Sequence, residues 1–282
     1  MPLNLDSVGK TFGPYTVEYG DRDVILYALS IGAGYVPEDL GYVFEGADGF
    51  RTFPTFAVVP GTRALFDAVA VLDADLTKLL HGEQAVRWFA PIPTSGTLLT
   101  TWQVEGVYDK GKGALAVVKG TSTDAAGKPL FENVFSLFIR GAGGFGGSRG
   151  PEVVRAEPPA DRAPDFRVEH QTAPRQALLY RLNGDRNPLH ASPEFAAASG
   201  FERPILHGLC SFGFGVRAFV DAALGRDCLR LREVSARFAG VVFPGDTLVT
   251  EGWRIAPDRI VARVTTGRGT PAISNFEAGF VA

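Results

Sequence analysis

The stretch "GDRNPLH", Gly184 to His190, sets an acid, an amide, a proline and an imidazole close together. A carboxylate beside an imidazole makes a proton-transfer pair, because partial burial brings both groups toward working pH. Asn187 can hold either group, or a water, through its amide. Pro188 disfavours helical geometry at Asn187, and Gly184 permits a sharp turn. The segment therefore reads as a bent loop after the apolar run "QALLYRLN", able to point Asp185 and His190 inward. An Asx-type turn, with His190 capping backbone or lining the core, explains the same residues without chemistry. Both readings stand at this point.

A second stretch, "RPILHGLCSFGFG", favours the chemical one. His207 and Gly208 open the longest apolar helical segment of the chain. The first N–H groups of a helix lack internal partners, and the helix dipole is positive there. Gly208 lets a carbonyl oxygen approach such an N–H, as an oxyanion hole for an enolate requires. A glycine chosen only for the turn is the plain alternative. A proton-transfer pair beside an anion-stabilising helix start points to chemistry alpha to a carbonyl. Other groups fit less well. Cys210 reads as a small buried hydrophobe, and Ser211 sits in no G-x-S-x-G elbow. The histidines form no H-x-x-x-H, so no metal site is expected. His170 reads as a surface residue near a linker. His81 reads from pattern alone as a helix end, and Lys110 in "DKGKG" as a hairpin turn.

These residues need a frame, and the chain supplies one twice. "RWFAPIPTSGTLLTTWQV" and "ARFAGVVFPGDTLVTEGWRI" share their order, and Thr97-Leu98 lies 150 residues before Thr247-Leu248. "DRDVILYALSIG" resembles "APRQALLYRLNG", and "NVFSLFI" resembles "NFEAGFV". Each unit carries an early helix, a longer apolar segment ("GTRALFDAVAVL" or "GLCSFGFGVRAFVDAAL"), then short alternating runs with turn residues between them. The expected fold class is α+β, two repeats that each wrap an antiparallel sheet around a long helix. Residues 1–145 form the first repeat, 146–164 a linker rich in Gly, Pro and charge, and 165–282 the second repeat. Gly141, Gly143 and Gly146 match G-x-G-x-x-G, but Ser148 to Pro151 follow where a nucleotide site needs a helix. The run reads as linker.

Composition narrows the partners. The 282 residues are 45% hydrophobic and 21% charged, enough for a real core. With 28 basic against 31 acidic residues there is no basic excess for nucleic acid. Two cysteines and no CxxC favour a reducing compartment over a disulfide scaffold. No signal peptide, no membrane span and no S-K-L terminus is visible, so a cytoplasmic protein is expected.

"YRLNGDRNPLH", followed by "PILHGLC", resembles the MaoC-like (R)-specific 2-enoyl-CoA hydratases, or hydratase 2. "RDVILYALSIGAG", "FPTFAVVPG", "LHGEQ", "VYDKGKG" and "FSLFIRGAGGFGG" extend the likeness to the hydratase 2 part of the peroxisomal multifunctional enzyme. It covers nearly the whole chain. The resemblance implies a double hotdog fold, in agreement with the repeat found from the sequence. It implies a catalytic Asp185 and His190, supported by Asn187, with the Gly208 N–H stabilising the thioester enolate. His81 and Gly82 would contact the CoA thioester, Lys110 would face the CoA phosphates, and Phe238 would line the site. The implied partner is an acyl-CoA thioester, with no separate cofactor because CoA is part of the substrate. The implied reaction adds water across trans-2-enoyl-CoA to give (3R)-3-hydroxyacyl-CoA, and reverses it. The first repeat has "SIGAGYVPEDL" in place of "LNGDRNPLH", so one active site per chain is expected, with the first half shaped for the acyl chain. The chain lacks the dehydrogenase and carrier domains of the fused enzyme, which points to a free-standing bacterial protein. A dehydratase for a short branched or dicarboxylic acyl-CoA, an acyl-CoA binding module and a thioesterase remain as alternatives. A homodimer is allowed, though a double hotdog already holds the pairing internally.

Overall fold

A computed structural model describes residues 3–152 and 157–282, apart from the side chains of residues 63–65 and 76. The first repeat runs β1 (Thr11–Tyr19), α1 (Asp21–Ser30), α2 (Leu40–Val43), α3 (Gly61–Val71), β2 (Leu79–Trp88), β3 (Gly96–Asp109), β4 (Gly113–Thr123) and β5 (Pro129–Arg140). The second runs β6 (Phe166–Gln171), α4 (Gln176–Tyr180), α5 (Pro193–Ala198), α6 (Gly208–Ala223), β7 (Leu231–Phe238), β8 (Thr247–Ala256), β9 (Arg259–Thr266) and β10 (Pro271–Phe280). Residues 153–156, inside the expected linker, lie outside the described residues.

All ten strands form one sheet in the order β1-β3-β4-β5-β2-β7-β10-β9-β8-β6. Read outward from its centre, each half repeats the same order. The halves meet where β2 pairs antiparallel with β7, from Glu83↔Arg237 to Arg87↔Glu233. Ala85 faces Ser235 at the midpoint, so a local twofold passes there. That twofold carries Glu83 onto Glu233 and Arg87 onto Arg237, the same 150-residue step seen in the sequence. Opposite charges therefore face each other twice across the seam, a favourable cross-strand arrangement.

Two-residue alternation builds the inner face. β4 reads buried and half-buried in turn along "GALAVVKGTST". On that face lies α6, buried continuously from Cys210 to Val220, which explains why its sequence is apolar all round. α3 is shorter and less enclosed: Ala68 and Leu72 are buried, whereas Phe66 is 43% exposed. The largest apolar cluster joins α1, α6 and strands of both halves; a smaller one gathers Trp102, Val118, Phe135 and Leu137 beneath α3.

His170 departs from expectation. It lies on β6, half-buried, with Nε2 2.8 Å from a guanidinium nitrogen of Arg217 on α6. Burial and the Arg217 charge push its pKa down to about 4. Arg217 is itself 5% exposed and reaches Asp39 at 3.3 Å and the carbonyl of Gly32. No local pattern marks a residue beside the linker for this buried polar cluster, because its partners Arg217 and Asp39 lie far away in the chain.

Candidate active site

The loop after α4 is set by local bonds. Gly184 has φ of 127°, a value that suits glycine, and turns the chain out of the helix. Asp185 Oδ1 accepts from the Asn187 N–H at 3.0 Å, and Asn187 Oδ1 accepts from the Leu189 N–H at 3.0 Å. Asx-type turns are thus present, and with them a carboxylate oxygen of Asp185 lies within 4.8 Å of a ring nitrogen of His190. The turns aim the groups. Pro188–His190 forms one 3-10 turn, which leaves His190 9% exposed. His190 Nδ1 lies 2.9 Å from the Ile205 carbonyl. A carbonyl can only accept, so Nδ1 carries the proton and Nε2 keeps its lone pair. Burial holds the His190 pKa below the usual histidine value, which keeps that lone pair free.

α6 begins beside this loop. Cys210 N–H and Ser211 N–H already donate to the His207 carbonyl, at 3.1 and 3.2 Å, so Gly208 and Leu209 N–H precede the helical ladder. The Leu206 N–H donates to Val242 O at 2.7 Å, tying the approach to α6 to the chain after β7. A Cβ on Gly208 would sit 3.1 Å from the Phe238 ring, a tight contact that the ring would have to yield to by a few tenths of an ångström.

All eight residues singled out from the sequence line one cavity of about 940 Å³: Asp185, Asn187, His190, Gly208, His81, Gly82, Lys110 and Phe238. His81 lies on β2 rather than at a helix end, between Phe135 (5.0 Å) and Phe238 (5.1 Å). Burial lowers its pKa to about 4, and Nε2 lies 3.1 Å from Glu83 O. The β2–β5 register slips between His81 and Glu83, which makes Gly82 a bulge that turns His81 toward the cavity. Lys110 occupies the β3–β4 turn at the cavity rim, with Nζ donating to Arg149 O at 2.5 Å. The glycine run beside it has its own purpose. Gly144 and Gly146 N–H donate to the Asp109 carboxylate at 2.9 and 2.8 Å. Gly143 passes so near the β3–β4 turn that a Cβ would meet Gly113 O at 2.4 Å. The loop is a nest for Asp109, one residue before Lys110.

His207 is the residue that sequence reasoning left out of the site. Its ring stacks on His190 at 3.6 Å and 25°, and it is 2% exposed. Its position directly before Gly208 was the available signal. A carboxylate oxygen of Asp185 and ring nitrogens of His190 and His207 lie within 4.8 Å of one another. His207 Nε2 and Asp185 Oδ2 are 4.0 Å apart, wider than the roughly 3.4 Å edge of a tetrahedral site with about 2.1 Å bonds. The spacing suits a shared water better than a shared ion.

Comparisons with known proteins identify the family. Residues 17–141 match the MFE-2 hydratase 2 N-terminal domain, and residues 155–274 match the MaoC like domain. The chain belongs to the MaoC-like hydratase 2 family. It is 42% identical over 253 residues to a probable enoyl-CoA hydratase 2 of Dictyostelium discoideum, covering 88% of this chain and 85% of the relative. It is 41% identical over 284 residues to the enoyl-CoA hydratase ChsH3 of Mycobacterium tuberculosis, covering 95% and 98%. The MaoC-like dehydratase of Phytophthora capsici superposes with a TM-score of 0.90 at 33% identity, covering 99% and 98% of the two chains.

The double hotdog of this hydratase 2 chain also has a counterpart site. The local twofold maps Phe238, Ala239 and Gly240 onto Trp88, Phe89 and Ala90, and His81 and Gly82 onto Leu231 and Arg232. The mapped residues line a cavity of only about 150 Å³. Side chains fill it where the first site has glycines, and the Trp88 indole N–H donates to Pro54 O at 3.0 Å. Asp39, in the loop that replaces "GDRNPLH", is 1% exposed and committed to Arg217 and Arg226.

Proposed function

We infer that this protein hydrates trans-2-enoyl-CoA to (3R)-3-hydroxyacyl-CoA, and dehydrates it in reverse, in fatty acyl-CoA metabolism. The observation that carries the reading is the shared cavity of Asp185 and His190 Nε2 at the first turn of α6, in a chain of this family. Asp185 and His190 hold one water between them. As its oxygen attacks C3, the bare His190 Nε2 is free to take the proton that leaves the water, and the pair returns a proton to C2, so one water supplies both the hydroxyl and the hydrogen. Microscopic reversibility makes each group serve the opposite direction in the opposite role. The electron pair of the double bond moves onto the thioester oxygen, where the Gly208 N–H stabilises the enolate by ~3 kcal/mol, the worth of one such donor. Asn187 keeps the Asp185 turn in place. Hydration is not a redox step, and this reading needs no metal and no cofactor beyond the CoA of the substrate.

In the same proposal, residues 165–282 supply the reacting groups. Residues 1–145 supply the CoA and acyl walls through His81, Gly82, Lys110 and the apolar face of Phe66, Phe135 and Phe138. Phe238 closes the site from β7. The collapsed counterpart supports one active site per chain. The buried free thiols of Cys210 and Cys228 support a reducing, cytoplasmic setting. The test follows the loss of enoyl-thioester absorbance with crotonyl-CoA and trans-2-decenoyl-CoA, then product chirality, in wild type, Asp185→Ala and His190→Ala. A 3R product lost in both variants is expected. Hydrolysis of saturated acyl-CoA, or no reaction with either enoyl-CoA, sinks the reading.

A further inference from the structure

His207 has no part in the proton transfers above, yet it touches both groups that perform them. Its ring lies flat on His190, with centroids 3.6 Å apart. Its Nε2 is 3.4 Å from the Asp185 carbonyl and 4.0 Å from Asp185 Oδ2. The carbonyl can only accept, so Nε2 carries the proton and Nδ1 is the bare nitrogen; Nδ1 is buried with no hydrogen-bond partner. Behind it stands Tyr180 of α4, 4.9 Å away at 47°. The residue cannot swing aside: it is 2% exposed, and its backbone opens α6. The charged and titratable groups that bear on the His190–His207 pair are Asp185, Tyr180 and Arg181. Burial and the neighbouring His190 push the His207 pKa down to about 2, so it stays neutral wherever the protein is folded and working.

We propose that His207 is a positioning residue: a neutral imidazole wedge that fixes the His190 ring by stacking and restrains the Asp185 turn through its Nε2–H. The wedge sets the gap that the reacting water occupies. It also keeps bulk water from the buried face of His190. The proposal rests on the hydratase reading of the site, so its test includes a measurement that needs no turnover.

Two variants divide the two contacts. His207→Phe keeps a ring against His190 but loses the N–H; His207→Ala loses both. Misplacing reacting groups by about 1 Å can cost about a hundredfold, so His207→Ala is expected to lose about that much in kcat, and His207→Phe about tenfold. KM for crotonyl-CoA is expected to stay within about threefold in both, because the substrate walls are untouched. The turnover-free measurement is the titration of the His190 ring by NMR on histidine-labelled protein. In His207→Ala, water reaches His190 and its titration moves up toward about 6.5. In His207→Phe it stays where the wild type has it. A kcat within about twofold of wild type in both variants overturns the proposal, as does an equal loss in both with an unmoved His190 titration. If His207→Ala does not fold, His207→Phe decides alone: wild-type kcat overturns, a tenfold loss at unchanged KM supports. If the wild type hydrates neither enoyl-CoA, the hydratase reading fails, while the His190 titrations still decide the placement of His207.

Discussion

Gly208 combines two properties that a pair of substitutions can separate. A Cβ there crowds Phe238 at 3.1 Å, and the residue also offers a backbone N–H ahead of the helical ladder. Gly208→Ala adds the crowding and keeps the N–H. Gly208→Pro adds crowding and removes the N–H, at a first-turn position where proline suits a helix. His207, with φ of −59° and ψ of 135°, already has the extended geometry required before proline. If the N–H stabilises the enolate, kcat of the proline variant falls about a hundredfold below that of the alanine variant. Steady-state assays of the two, with melting curves to confirm folding, check this. His190 gives a second outcome at this scale. Its lowered pKa keeps the Nε2 lone pair free as pH falls below the ordinary histidine value. The acidic limb of kcat/KM that belongs to His190 is therefore expected below about pH 6.5, the unperturbed histidine pKa. A His190 limb at or above that value counts against a buried His190 base.

The β3–β4 turn and the glycine loop act as one element. The Asp109 pKa is lowered, chiefly by the Gly144 N–H, with Gly111 and Gly146 assisting. Its carboxylate binds the loop to the turn that carries Lys110. Asp109→Ala is expected to release both and to raise KM for CoA thioesters several-fold, roughly, with kcat within about twofold. A fall in kcat at constant KM would separate this element from CoA binding. The glycine spacing that mimics a nucleotide motif is accounted for by the Asp109 nest and by Gly143 packing on the turn. That could not be read from the glycines alone, because their partner lies more than 30 residues earlier.

Across the whole molecule, Arg217 joins the halves. It reaches from α6 to Asp39 and Gly32 of the first repeat and to His170 of β6. Arg217→Met leaves the buried Asp39 with the Gly34 N–H and the more exposed Arg226 as partners, and is expected to cost about 3–5 kcal/mol by urea unfolding. A smaller loss would show that Arg226 compensates. Buried histidines give the molecule an acid limit. Burial lowers His81 and His170 to about 4 and His207 to about 2. The unfolded chain takes up these protons near pH 6.5, before the folded one does. Stability from these groups is thus full above about pH 6.5 and is lost as pH falls from there through about 4. The urea midpoint should hold steady from about pH 7 to 8 and drop below about 6.5. His170→Gln, which can still accept from Arg217, should flatten that drop. An unchanged slope would contradict the burial of His170.

The sequence by itself determined the repeat, the fold class and the loop that brings Asp185 and His190 together. Those signals are local or periodic: a two-residue alternation, a long apolar helix, and an acid and an imidazole five positions apart with turn residues between them. It also carried the residues that meet in the cavity, though the placing of His81, Gly82, Lys110 and Phe238 depended on family likeness rather than on pattern. Only the tertiary structure decided which face each of them uses. The His81–Glu83 bulge, the stacking of His207 on His190 and the burial of His170 arise from packing between segments far apart in the chain. The same holds for the two cavities. The twofold implied by the repeat allows two equal sites, and side-chain volume at Trp88, Leu231 and Arg232 leaves one of them open. Periodicity along the chain records what lies on one side of an element; it carries no record of what arrives from the other side.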